Sequence, residues 1–226
     1  GIMFGFMSGT SVFVAQYWGA NDKKSIRRTQ GIALLFCTLF SLSFCIAGFI
    51  FADSIMRIYS GTPEIINCGA RYIRFVCWSY LPNSLTFILC SVLRSTESVK
   101  LPVIISGCNS VLNVFLNYCL IGGHFGFPKM EAAGAALATT ISNWVMLIVL
   151  ISICYFTKNI CRAPINQMFG FTLKHVKEFL SKALPATANE TVWALGTTIM
   201  NAILSNMGDD YYAGVTILRT IEKSHL

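Results

Sequence analysis

Asn109, Asn113 and Asn117 stand four residues apart, with Ser106 and Ser110 at matching steps, so one helix face carries all five. The stretch that follows presents Gly134, Ala135, Ala136 and Ala138, then Thr139, Thr140, Ser142 and Asn143. Small residues let two helix backbones approach, and buried amides seek partners across the gap. Packing accounts for one or two such amides. Three on one face point to a wet cavity.

A second candidate is acidic. Glu190 lies well inside an apolar stretch, past Pro185, and Thr197 and Asn201 follow on its face. A carboxylate there is costly when charged, so it is expected to be protonated, paired or turned toward water.

Other reactive residue types are placed for plainer work. His175 and Glu178 sit on a basic amphipathic segment, where they read as a solvated face rather than a metal site. The glycine-rich run 122–128 follows no strand, which argues against a phosphate cradle, and His124 within it reads as an interfacial loop residue. Asn189-Glu190-Thr191 spells a glycosylation sequon that a membrane span would put out of reach. The nine cysteines are single, none in CxxC spacing, and most fall in apolar spans where Cys packs as a small hydrophobe. No catalytic or metal-ligating cluster emerges, so neither an enzyme nor a cofactor is expected.

The elements that must hold these groups are membrane helices. The chain is 54% hydrophobic and 12% charged, against about 25% charged in ordinary soluble domains. Its apolar blocks are about a bilayer thickness long. Spans are expected over 1–18, 31–51, 70–93, from Pro102 to the glycine turn, from there to Tyr155, and over 179–207, with a polar loop over 53–69. Gly1, Gly5 and Gly9 form a close-packing face. Gln16 suits the interface, and Arg71 and Arg74 fall in a first helical turn. Pro82 frees a carbonyl within its span, and Pro102 suits the first position of a helix. The net charge of +7 resides in loops, so nucleic acid is not an expected partner. Lys23, Lys24, Arg27, Arg28, Arg94, Lys100, Lys158, Arg162, Lys174, Lys177 and Lys182 fall in alternate loops, against Arg57, Arg71, Arg74 and Lys129 in the others. Loops 19–30, 94–101 and 158–178 are therefore expected on the cytoplasmic side.

Asn109-x3-Asn113-x3-Asn117-Tyr118, Leu120-Ile121-x-Gly123, Pro128 and Gly134-Ala135-Ala136-x-Ala138-Thr139 resemble the multidrug and toxic compound extrusion (MATE) transporters. Gly9-Thr10-Ser11, Ala15-Gln16, Gly19-Ala20 and Asp22 are similar to the end of that family's second helix and its basic loop. Pro185, Glu190, Trp193 and Gly196 are similar to the opening helix of its second half. The resemblance implies an all-α polytopic transmembrane bundle, part of a two-lobed, twelve-helix transporter, with this chain reaching from about the second helix to the start of the eighth. It implies first-lobe helices over 1–157, a cytoplasmic inter-lobe loop over 158–178 and the start of the second lobe over 179–226.

The function implied is Na+- or H+-coupled antiport, exporting organic cations across the cytoplasmic membrane by alternating access, with the lipid bilayer as surroundings and a monomer at full length. The family's first-half cation site maps onto Asn113, Asn117 and Thr139, and its second-half acidic residue onto Glu190. Asn109, Thr197 and Asn201 are the cavity-lining candidates beside them. The family often carries Asp where Asn117 stands; the amide removes a titratable group there but can still coordinate Na+. Two alternatives stand beside this. A lipid-linked saccharide flippase of related fold would want a basic central cavity, hinted at only by Arg219 and Lys223. A chain lacking the remaining helices would transport nothing by itself.

Overall fold

The computed structural model describes residues 2–59, 63–157, 160–161, 165–168 and 170–206, the last six as backbone alone. Its elements are α1 (Ile2–Gly19), α2 (Lys23–Tyr59), α3 (Pro63–Val76), α4 (Tyr80–Ser95), α5 (Lys100–Gly122), α6 (Glu131–Phe156), the short α7 (Ile165–Met168) and α8 (Leu173–Asn206), with 3-10 turns at Cys77–Ser79 and His124–Gly126. Four stretches are long and apolar enough to cross a membrane: Lys23–Arg57, Pro63–Ser95, Lys100–Gly122 and Glu131–Phe156. The chain is an all-helical, multi-pass membrane bundle. The helices α1 and α8 lie against each other. At 37 residues α2 is about 55 Å long, well beyond a hydrocarbon core of about 30 Å. Its ends, with Lys23 to Arg28 at one and Asp53 and Arg57 at the other, therefore reach past the apolar layer.

Helices run further than the polar pattern suggests. The loop expected over 53–69 is helical to Tyr59 and again from Pro63. Asp53 there pairs with Arg74 at 2.6 Å, so the charges link α2 to α3. Arg71 and Arg74 accordingly lie beyond the first turn of α3. The basic stretch 19–30 is helical from Lys23, because a stop and a start signal stand side by side. Asn21 takes the left-handed conformation (φ 55°), with bonds from Asp22 N to Tyr17 O (2.9 Å) and Asn21 N to Trp18 O (3.0 Å) closing α1. Asp22 Oδ1 then accepts from Lys24 N and Ser25 N, both at 3.1 Å, and caps α2. Hydrogen bonds from Ser25 hold the Asp22 carboxyl below its usual range. Pro102 is the third residue of α5, still inside the turn whose N–H groups have no helical partner. α8 opens at Leu173, ahead of the expected 179.

Pro82 has no N–H, so the carbonyl of Trp78 loses its helical donor, and the 3-10 turn lies at this point. Helix α6 replaces what is missing. Trp144 Nε1 donates to Trp78 O at 3.2 Å, and one turn earlier Thr140 Oγ1 donates to Phe75 O at 2.9 Å. The interruption between α3 and α4 is splinted.

Two close approaches set the bundle. A Cβ at Gly5 would stand 2.3 Å from Thr187 Cα, and one at Gly9 2.8 Å from Ala183 Cβ, so the glycine face of α1 is the crossing point with α8. Phe6, Phe13 and Phe179 pack beside that crossing. A Cβ at Gly134 would stand 2.6 Å from Leu120 O, which presses α6 onto α5.

Candidate functional site

The approach at Gly134 sets the polar faces of α5 and α6 against each other. Asn109 Nδ2 donates to Asn143 Oδ1 at 3.1 Å. Asn113 Nδ2 donates to Thr139 Oγ1 at 3.3 Å and Ser142 Oγ at 3.4 Å. Asn117 Nδ2 donates to Asn113 Oδ1 at 2.9 Å. The direction of these bonds follows from chemistry. Thr139 and Ser142 give their own protons to helix carbonyls, Ala135 O and Thr139 O, so their oxygens accept from Asn113. That leaves Asn117 Oδ1 and Asn109 Oδ1 buried without a donor. A buried acceptor left unpaired costs about 1–3 kcal/mol, which a cation or a water would recover. Beside Asn109 a cavity of about 250 Å3 runs between α4, α5 and α6, bordered also by Asn83, Thr86, Arg94 and Asn143. Thr86 Oγ1 in its wall is likewise unpartnered.

Glu190 belongs to a different place. It is half-buried on α8, has no hydrogen bond or ion pair among the described residues, and borders an opening of about 530 Å3 with Phe4, Asn189, Trp193 and Ala194. Phe4 and Ala194 also border a neighbouring cleft of about 500 Å3 among α1, α2, α4 and α8, walled by Phe44, Tyr80 and Phe87 and by the polar Asn83, Ser84, Thr191 and Thr198. Thr197 turns its hydroxyl back to Trp193 O at 2.9 Å. Asn201 lies on α8 with its side chain outside the described residues, as do Arg219 and Lys223.

The structure thus brings Asn113, Asn117 and Thr139 into one network, joins Asn109 to it through α6, and sets Glu190 in a separate cavity. Among the described residues no group of three His, Cys, Asp or Glu side chains could hold a metal. His124 serves the turn: its Nδ1 lies 3.0 Å from Tyr118 O and its ring stacks on Tyr118 at 4.2 Å. Thr86 and Trp144 gave no signal of their own in the sequence. Only Pro82 announced that a carbonyl nearby would need a donor.

Comparison with known proteins points one way. The MatE family model matches residues 1–119, over half of the chain. A relative from Bacillus subtilis, "Probable multidrug resistance protein YoeA", is 29% identical over 222 residues, covering 96% of this chain and 47% of the relative. A structure described as a MOP superfamily transporter from Pyrococcus furiosus superposes with a TM-score of 0.83 at 20% identity, over 98% of this chain and 48% of that one. A second, described as the outward-facing conformation of a multidrug resistance MATE family transporter, gives 0.81 at 19% identity over 98% and 48%. The chain spans about half the length of the proteins it matches.

Proposed function

The chain belongs to the MatE family, and on that premise we propose that the protein carrying it exports organic cations across the cytoplasmic membrane in exchange for Na+ or H+. Transport, not catalysis, is its work. The observation that carries the reading is the Asn113–Asn117–Thr139 network with its unpartnered Asn117 Oδ1. Neutral amides do not titrate, so this cluster answers to Na+ through oxygen and not to a proton. Proton exchange, where it occurs, falls to Glu190, the carboxylate open to a cavity. Substrate occupies the aromatic cleft, because flat lipophilic cations favour ring faces and a nearby carboxylate. None of the cleft's described lining residues is basic, which favours a cation over the anionic head of a lipid-linked saccharide.

The two lobes, divided near 158–178, present the sites alternately to either side of the membrane. Ion binding shifts the populations of the two states through its differential affinity for them. Loops 19–30, 94–101 and 158–178 face the cytoplasm, and the full-length protein works as a monomer without cofactor.

The test is ethidium efflux from cells expressing the complete gene product, under an imposed Na+ gradient or an imposed proton gradient. Glu190→Gln should abolish proton-driven efflux, and Asn117→Leu should abolish Na+-driven efflux. Unchanged efflux in both variants would refute the site assignment. No efflux of any cation by the wild type would refute the export reading and return the flippase.

A further inference from the structure

A cavity of about 520 Å3 lies apart from both polar sites, among α2, α4 and α6, with Cys161 and Met168 of the segment after α6 closing one side. Its wall is Leu34, Leu85, Leu89, Leu147 and Ile151 with one amide, Gln30. Gln30 is 1% exposed, and its Nε2 donates to Cys161 O at 3.3 Å. That bond to a carbonyl identifies the nitrogen, so the remaining atom is the oxygen, and Oε1 has no partner among the described residues. The closing segment is fastened to α2. Arg27 Nη1 donates to Gln167 Oε1 at 2.5 Å, and a Cβ at Gly31 would stand 2.1 Å from Met168 O. The cavity is a built one, held open between packed helices.

Its chemistry selects a ligand. None of the described lining residues carries a charge, so they offer a charged head no compensation for its desolvation. One acceptor stands without a donor, which asks for one hydroxyl. Ile151 and Tyr155 at the edge are 50% and 57% exposed on a helix apolar enough to face lipid, so entry is from the bilayer. At about 30 Å3 per water-sized group the volume holds roughly seventeen groups, one long chain and no more. We infer that this cavity binds a single-chain, uncharged lipid bearing a hydroxyl, with the hydroxyl at Gln30 and the tail among the leucines. The inference is independent of what the protein exports.

The probe is a diazirine-bearing hexadecanol, cross-linked to the complete protein in phosphatidylcholine vesicles and mapped by peptide mass spectrometry. Labels are expected on the α2, α4 and α6 peptides around Leu34, Leu89 and Leu147, and excess unlabelled hexadecanol should remove them. Gln30→Met should lower labelling about five-fold, the size of one hydrogen bond. Leu147→Trp, which fills the cavity, should abolish it, with Ile151→Trp at the edge as substitute should Leu147→Trp misfold. The matching carboxylate probe should label at least ten-fold less.

Labels spread over the lipid-facing side of α5 without competition would overturn the inference, as would labelling unchanged in Gln30→Met and the tryptophan variants. Equal labelling by the carboxylate would overturn the uncharged site. Competition by ethidium but not by hexadecanol would assign the cavity to an exported cation and overturn it too.

Discussion

Gly5→Ala tests the crossing on which the bundle turns. The added Cβ would meet Thr187 Cα at 2.3 Å, Thr187 Oγ1 at 2.5 Å and Thr187 N at 2.7 Å, where ordinary contact begins near 3.4 Å. Two of these three atoms are backbone, so α8 must retreat by about an ångström. Overpacking of this kind costs about 1–3 kcal/mol, and 2 kcal/mol is close to thirty-fold in a folding equilibrium. The geometry also dictates what rescues. Thr187→Gly removes Oγ1 but leaves Cα and N in place, so it should not restore Gly5→Ala. At Gly9 the nearest atom is the Ala183 side chain at 2.8 Å, with Ala183 Cα at 2.9 Å behind it, so Ala183→Gly should recover part of a Gly9→Ala loss. Thermal unfolding of the complete protein in detergent, followed by circular dichroism, reads each of these variants. A Gly5→Ala protein that melts with the wild type, or one restored by Thr187→Gly, would mean that the helices do not cross at these residues.

Three further outcomes follow from single bonds. Trp144→Phe removes the donor to Trp78 O and should cost about 1 kcal/mol; in a Pro82→Ala background, where the helix supplies its own N–H, the same change should be nearly neutral in a double-mutant cycle. Glu97 holds the left-handed position after α4 at φ 63°, so Glu97→Gly should raise the melting midpoint by relieving about 1 kcal/mol of strain. Hydrogen bonds from Ser25 hold Asp22 below the ordinary carboxylate value of 3.8, so its contribution is complete above that value and is lost as pH falls through the lower folded one. Asp22→Asn should therefore flatten the fall in thermal midpoint below about pH 4, while Asp22→Ala should cost about 1 kcal/mol at neutral pH.

What could be read in the sequence and what could not divides along a physical line. Periodicity fixes which residues share a face, so Asn109, Asn113 and Asn117 and the small residues from Gly134 were visible as two matching surfaces, and they meet. Hydropathy registers a charge but not its partner. Asp53, twenty-one residues from Arg74, therefore looked like a loop residue, whereas it lies on α2 and pairs with Arg74 of α3 at 2.6 Å. Pro82 declared an orphan carbonyl, yet only the register of α6 could say that Trp144 would reach it. The same limit governs Glu190. Ala183, Thr187 and Glu190 follow at steps of four and three, so all three fall on the stripe of α8 that meets α1. A carboxylate on a crossing this tight would be dry and unpaired. The sequence held both the glycine stripe and the acid but not their meeting. Gly9 closes on Ala183 and Gly5 on Thr187, and a turn further the seam parts at Phe4 and Glu190, where the cavity of about 530 Å3 begins. The crossing that excludes water below is what carries the carboxylate to the edge of an open space.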